Sequence, residues 1–160
     1  MLCIFSINNG IPYMEFIIKK YDELTVGELF DIYKLRCAVF IVEQKCPYQD
    51  VDDADKVAMH LMAKDENGLQ GYLRVLPAGA TMPEVSIGRV IAVKRGYGLG
   101  EELMRKGIEI AQATFNAPAI KIEAQTYVAA LYEKCGFERV SEEFMLDGIP
   151  HVEMLFSAKA

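Results

Sequence analysis

Residues 90–104, VIAVKRGYGLGEELM, run a string of apolar β-formers through three alternate glycines into a helix pattern. A buried strand that turns tightly into a helix opens a crossover unit, so a parallel partner strand has to follow and the helix has to cover one face of a sheet. Gly96, Gly98 and Gly100 present no Cβ to keep a ligand off the main chain, and the helix start leaves amides without intrahelical partners. With the cations Lys94 and Arg95 beside it, the helix dipole makes this a place for a diphosphate. Two other phosphate loops fit worse. A Walker A loop carries Lys and then Ser or Thr after its last variable residues, where Glu101 and Glu102 stand here; the dinucleotide fingerprint, counted from Gly96, meets Glu101 at its third glycine. Glycines between strand and helix are also a common structural device, and by themselves they leave the two readings level.

The rest of the chain supplies a sheet. EFIIKKY after Met14 alternates as a short strand, and Thr25 with Glu28 forms a capping box that starts a helix. Leu29, Ile32, Leu35, Val39 and Val42 continue it at spacings of three and four, which predicts helix to Glu43. KCPYQDVDDADK, with Pro47 and four Asp, reads as a loop. VAMHLMAKD, LQGYLRVLPAG and EVSIGRVIAV read as an antiparallel meander whose last and most hydrophobic member is central. A second long helix follows Gly100, with Gly107 in its interior. Then come the strand APAIKIEAQ, the short helix TYVAALYEKCGF ended by Gly136, and two strands around DGIP. The expectation is one mixed α/β sheet flanked by helices over residues 14–160, with residues 1–13 as an extension.

At 160 residues the chain suits a single domain, and 52% hydrophobic with 25% charged residues excludes a disordered or fibrous class. A net charge of −6 argues against broad nucleic-acid or anionic-membrane binding, which needs a positive field, yet leaves room for a local phosphate site. No apolar run approaches the roughly 18 residues of a spanning helix. Cys3, Cys37, Cys46 and Cys135 form no CxxC pair, so the expectation is reduced thiols, no metal site and a cytoplasmic location.

Polar residues inside apolar elements are the candidates for chemistry. Arg36 and Glu43 share one helical face and read as an ion pair, or Glu43 as a base. Arg74 and Arg89 stand in apolar strands, where an unpaired charge is costly; Glu84 and Glu123 are the simple partners, an acidic ligand the other choice. His60 and His151 titrate in the range useful to a base, although a single His at a strand end is more often structural. Gly88 marks either a bulge or a close packing contact. Tyr132 alone reads as an amphipathic core aromatic. DVDDAD lacks the Gly and closing Glu of a calcium loop and reads as solvated acidic loop bordering the site.

RGYGLG resembles the RxxGxG signature of the GNAT acetyltransferases, and LYEKCGF resembles their later segment, in which a Tyr on a short helix is followed by GF. RCAVFIVEQKCPYQDVD, SIGRV and DGIPHVEM resemble the ElaA-type branch, and these motifs occur in order between Met14 and Phe156. One departure stands out: the family usually sets a few residues, often with Pro, between strand and Arg, whereas only Lys94 separates Val93 from Arg95. The resemblance implies a GNAT acyl-CoA N-acyltransferase fold and transfer of acetyl from acetyl-CoA to a primary amine of a small molecule or peptide, without a metal. It assigns cofactor contacts to Ile91, Ala92, Val93, Arg95, Gly96, Gly98, Leu99 and Gly100. The backbone of Ile91 and Val93 would bond the pantetheine as an added strand does, and an amide near Ala92 or Val93 would face the oxyanion. It makes Tyr132 the general acid and leaves Glu43 and His151 as candidates for the base. A homodimer is the family expectation, and a CoA-binding sensor without transferase activity is the alternative.

Overall fold

Alternation along two central strands separates the faces of the sheet. In β2 (Met59–Asp65) and β3 (Gly68–Leu76), Leu61, Ala63, Leu73 and Val75 join one apolar cluster, while the intervening Met62 and Tyr72 join a second. The computed structural model describes residues 13–158 and places these strands between β1 (Glu15–Lys20) and β4 (Val85–Ala92). Beyond β4 lie β5 (Ala119–Gln125), β8 (Ile149–Ser157) and the two-residue β6 (Glu138–Arg139), with β7 (Phe144–Leu146) also on β8. Every pairing is antiparallel except that of β4 with β5, which is the crossover the glycine turn demanded. The expected mixed α/β architecture is therefore the one observed; β6 is too short to leave a sequence signal. The expected extension lies outside the described residues except for Tyr13, as does Cys3.

Helix α2 (Leu99–Phe115) covers the first face. Leu103, Met104, Ile108 and Ala111 bury against Leu61, Leu73, Val75 and Ile87, each large side chain contributing roughly 1.5–3 kcal/mol. Gly107 allows the close approach: a Cβ there would stand 3.1 Å from side-chain atoms of Leu73 and Ile87. On the second face α1 (Val26–Arg36) sets Ile32 against Met62 and Tyr72. Its start is the expected capping box, with the Thr25 hydroxyl accepting from the Glu28 amide at 3.1 Å and the Glu28 carboxylate accepting from the Thr25 amide at 2.9 Å.

The helical segment does reach Glu43, but Cys37–Glu43 winds as wider π turns. That change of pitch breaks the phase on which the Arg36–Glu43 face depended, and the two residues find other partners. No helix among the described residues is long and apolar enough to cross a membrane.

Candidate active site

Parallel pairing of β4 with β5 lasts only from Val85 opposite Ile120 to Ser86 opposite Lys121, and then the strands part. At the same level β4 carries a bulge: Tyr72 pairs with Ile91 and Arg74 with Gly88, so Leu73 alone stands opposite Arg89 and Val90. An extra residue in one strand bends it and sharpens its twist. The bulge follows Gly88, and close packing is not the reason for that glycine, because a Cβ there would meet nothing within 4 Å. Its first residue, Arg89, takes φ +55°, a left-handed conformation that costs a non-glycine residue roughly 1–2 kcal/mol. The opening is a cleft of about 500 Å³ lined by β4 from Ile87 to Ala92 and the following Val93, by Glu123 and Gln125 of β5, and by Glu43, Tyr132 and His151.

The Val93 amide donates to the Gln70 carbonyl at 2.8 Å, and the Ile91 carbonyl lies against Gly71, 3.3 Å from where a Cβ would be. Both residues thus spend their backbone on β3. Successive strand residues turn these groups to opposite sides, so those of Ala92 face the slot. The Val93 amide, expected to serve a ligand, is engaged by β3 in this structure, and the groups of Ala92 point the other way.

Past Val93, Gly96 and Gly98 take φ +84° and +81°, and a Cβ on either would meet nothing within 4 Å. Gly100 differs: its Cβ would stand 3.3 Å from Leu131, so it lets α2 approach the short helix α3 (Ala129–Lys134). Intrahelical bonding begins with the Glu102 amide to Gly98, which leaves the first-turn amides of Leu99, Gly100 and Glu101 without helical acceptors. Arg95 is paired with Glu43 across the mouth of the cleft; both side chains are more than half exposed, so the pair contributes about 0–1 kcal/mol.

Tyr132 owes its position to the end of α3. The Phe137 amide donates to Tyr132 O at 3.1 Å, the Gly136 amide to Glu133 O at 3.0 Å, and Gly136 sits at φ +94°. This is a Schellman cap, whose usual apolar contact is made edge-on by Tyr132 and Phe137, with ring centroids 6.4 Å apart. The ring is 9% exposed, and its hydroxyl makes no hydrogen bond to any described residue. Burial, with smaller contributions from Tyr127 and Cys135, pushes its pKa up to about 12, so it is a phenol, and a proton donor, throughout the neutral range.

His151, which also lines the cleft, is 8% exposed and stacks on Phe144. Its Nδ1 lies 2.7 Å from the Ile149 carbonyl, which only accepts, so Nδ1 carries the hydrogen and the neutral ring keeps its lone pair on Nε2. Glu43 is committed to Arg95, whereas Gln44 beside it exchanges amide hydrogen bonds of 3.3 and 3.1 Å with Gln125. Of the two expected bases, Glu43 gives its Oε1 to Arg95, whereas His151 presents Nε2 as its acceptor atom.

The stretch expected to be a solvated acidic loop buries Asp50 and Asp55 and half-buries Asp52, while Asp53 stays exposed; this is the main correction to the sequence reading. Arg36 is 0% exposed and donates from Nε to Asp50 Oδ2, from Nη1 to Asp55 Oδ1 and from Nη2 to the Asp50 carbonyl, at 2.7–2.8 Å. Arg74 binds both oxygens of Asp52 at 2.5 and 2.9 Å and Asp55 Oδ1 at 2.7 Å; Arg89 approaches Asp50. Neither strand arginine reaches Glu84 or Glu123, and Arg36 does not pair with Glu43. Burial opposes the charge of Arg36, but the hydrogen bond to Asp55 and the charge of Asp50 outweigh it and raise its pKa.

His60, also 0% exposed, is structural. Its Nε2 donates to the Asp55 carbonyl at 2.9 Å, and its Nδ1 accepts from the Tyr72 hydroxyl at 2.7 Å. Burial holds His60 below the ordinary 6.5, and the hydrogen bond from Arg74 holds the Asp52 carboxyl below the ordinary 3.8. In both cases the unfolded chain takes up the proton first, so stability present above these unfolded values is lost as pH falls, first below 6.5 and again below 3.8. Urea midpoints measured at about pH 7, 5 and 3 should therefore decline stepwise, and His60→Gln should flatten the upper step. A midpoint independent of pH between about 7 and 5 would show that His60 does not titrate as described.

The family model described as "Acetyltransferase (GNAT) domain" matches residues 21–158. A protein of Schizosaccharomyces pombe is 41% identical over 145 residues, which cover 88% of this chain and 95% of its own. ElaA of Escherichia coli is 37% identical over 138 residues, covering 84% and 90%; its crystal structure aligns with a TM-score of 0.84 and 34% identity over 90% of this chain and 99% of that one. The crystal structure of an acyl-CoA N-acyltransferase from Pseudomonas aeruginosa aligns with a TM-score of 0.81 and 37% identity over 89% and 99%.

Proposed function

Because the chain belongs to the GNAT acetyltransferase family, we propose that it moves the acetyl group of acetyl-CoA to a primary amine of a small molecule or peptide, using the slot between β4 and β5. One observation carries the reading: Ala92, Arg95, Gly100 and Tyr132 line a single cleft, and the open turn of Gly96 and Gly98 lies in the chain between its lining residues Arg95 and Gly100. The thioester supplies an activated acyl carbon. Gly96, Gly98 and the first-turn amides of α2 hold the diphosphate, with Arg95 beside them. The N–H and C=O of Ala92 hold the pantetheine arm in register with β4, as an added strand would be held.

His151 Nε2 receives the proton released as the amine nitrogen bonds to the acyl carbon. When the carbon–sulfur bond breaks, Tyr132 gives its hydroxyl proton to the departing sulfur, so the products are the amide and free CoA thiol.

Titration calorimetry with CoA and acetyl-CoA tests the donor half. Gly98→Ala forces a side chain into left-handed backbone and puts a methyl group where the ligand is held, so its affinity should fall at least about tenfold. Absence of heat with the native chain would overturn the assignment. Binding without acceptor-dependent thiol release, across a panel of amines, would make the protein a CoA sensor.

A further inference from the structure

We propose that Asp50 and Arg89 form a clamp that holds the β4 bulge, making Arg89 a positioning residue for the slot. The functional half of this inference rests on the acetyl-transfer reading; the mechanical half does not. A bulge whose first residue is left-handed ordinarily has Gly there. Here Gly88 is adjacent, yet the left-handed position is filled by Arg89. A locally unfavourable choice of this kind points to a compensating tertiary interaction.

That interaction is on hand. Arg89 Nε lies 2.7 Å from Asp50 Oδ1, Nη2 donates to the Asp50 carbonyl at 3.0 Å, and the guanidinium lies 5.5 Å from the centre of the Tyr48 ring. Asp50 cannot follow Arg89 if it moves. Arg36 holds Asp50 Oδ2 at 2.8 Å and its carbonyl at 2.7 Å, and the Tyr48 hydroxyl donates to Oδ1 at 2.8 Å. A rigid line thus runs from the end of α1 through Asp50 to the residue at which β4 turns away from β5. Three residues further on is Ala92, whose backbone faces the slot. The loop around Asp50, 39 residues away in sequence, sets the direction of that backbone.

Arg89→Gly separates anchor from conformation, because Gly adopts the same φ without strain. The variant should fold, and hydrogen exchange at the Ile91 and Val93 amides, which face β3, should accelerate at least about tenfold while β2 keeps its protection. In turnover assays kcat should fall roughly 10–100-fold with KM for acetyl-CoA within about threefold, since misplacement near 1 Å carries losses of that size. Millimolar guanidinium should restore part of the lost turnover to Arg89→Gly and none to Tyr132→Phe. Tyr48→Phe, which removes one hydrogen bond from Asp50, should raise the same exchange rates by a smaller factor. Native exchange rates and kcat in Arg89→Gly would overturn the clamp. If the native protein transfers no acetyl group, the exchange comparison alone still decides it.

Discussion

Tyr132→Phe should lower turnover roughly 10²–10⁴-fold while leaving acetyl-CoA affinity within about a factor of two, the span expected when one proton donor is lost. The substitution removes only a hydroxyl that bonds no described residue, so no buried partner is left unsatisfied and the Schellman cap keeps its apolar contact. Folding stability is thus a control, expected to move by less than about 0.5 kcal/mol. Because burial raises this phenol to about 12, it stays protonated across the working range, and an alkaline limb near neutrality must come from another group. Calorimetric affinity and steady-state kcat on the same preparation separate the two roles. Unchanged turnover with a good acceptor would remove Tyr132 from the mechanism.

Arg36→Ala should produce the largest loss of stability, about 3–5 kcal/mol, because it leaves Asp50 and Asp55 charged and buried without their main partner. At about 2–4 °C per kcal/mol for a domain of this size, the melting temperature should drop by roughly 6–20 °C. Arg105→Ala is the contrast. Its pair with Glu101 is exposed and lies within one helix, so its removal should register less than about 0.5 kcal/mol. Denaturant unfolding of both variants measures the difference. Equal stabilities would mean that the buried network relaxes or admits water on losing Arg36. The loss comes from breaking the network by one member; exchanging every charged member for well-packed apolar groups can be neutral.

Local features were legible. The capping box at Thr25 and Glu28, the glycine turn into α2, the Gly136 cap that seats Tyr132 and the meander are all decided within about one turn or one strand pairing, where backbone sterics and short hydrogen bonds act. The mixed sheet followed from their order. Failures cluster where partners are distant: Arg36 meets Asp50 across 14 residues, Arg74 meets Asp52 across 22, and Arg95 meets Glu43 across 52. A polar run of aspartates between Pro47 and Lys56 reads as solvated, and nothing in that run announces that three arginines from other elements converge on it.

What the sequence settled by itself was most of the elements and the mixed sheet they build. Only the tertiary structure decided which of them meet. It turned Ala92 rather than Val93 to the slot, because β3 claims every second backbone pair of β4. It buried Asp50 and Asp55 and gave them arginine partners from distant elements, because charges removed from water require charged partners whatever their place in the chain. It turned His151 Nδ1 to the Ile149 carbonyl and paired Glu43 Oε1 with Arg95. Periodicity and capping are properties of neighbouring residues and can be read in order. Ion pairing and strand register are properties of surfaces brought together, and they exist only once the sheet has closed.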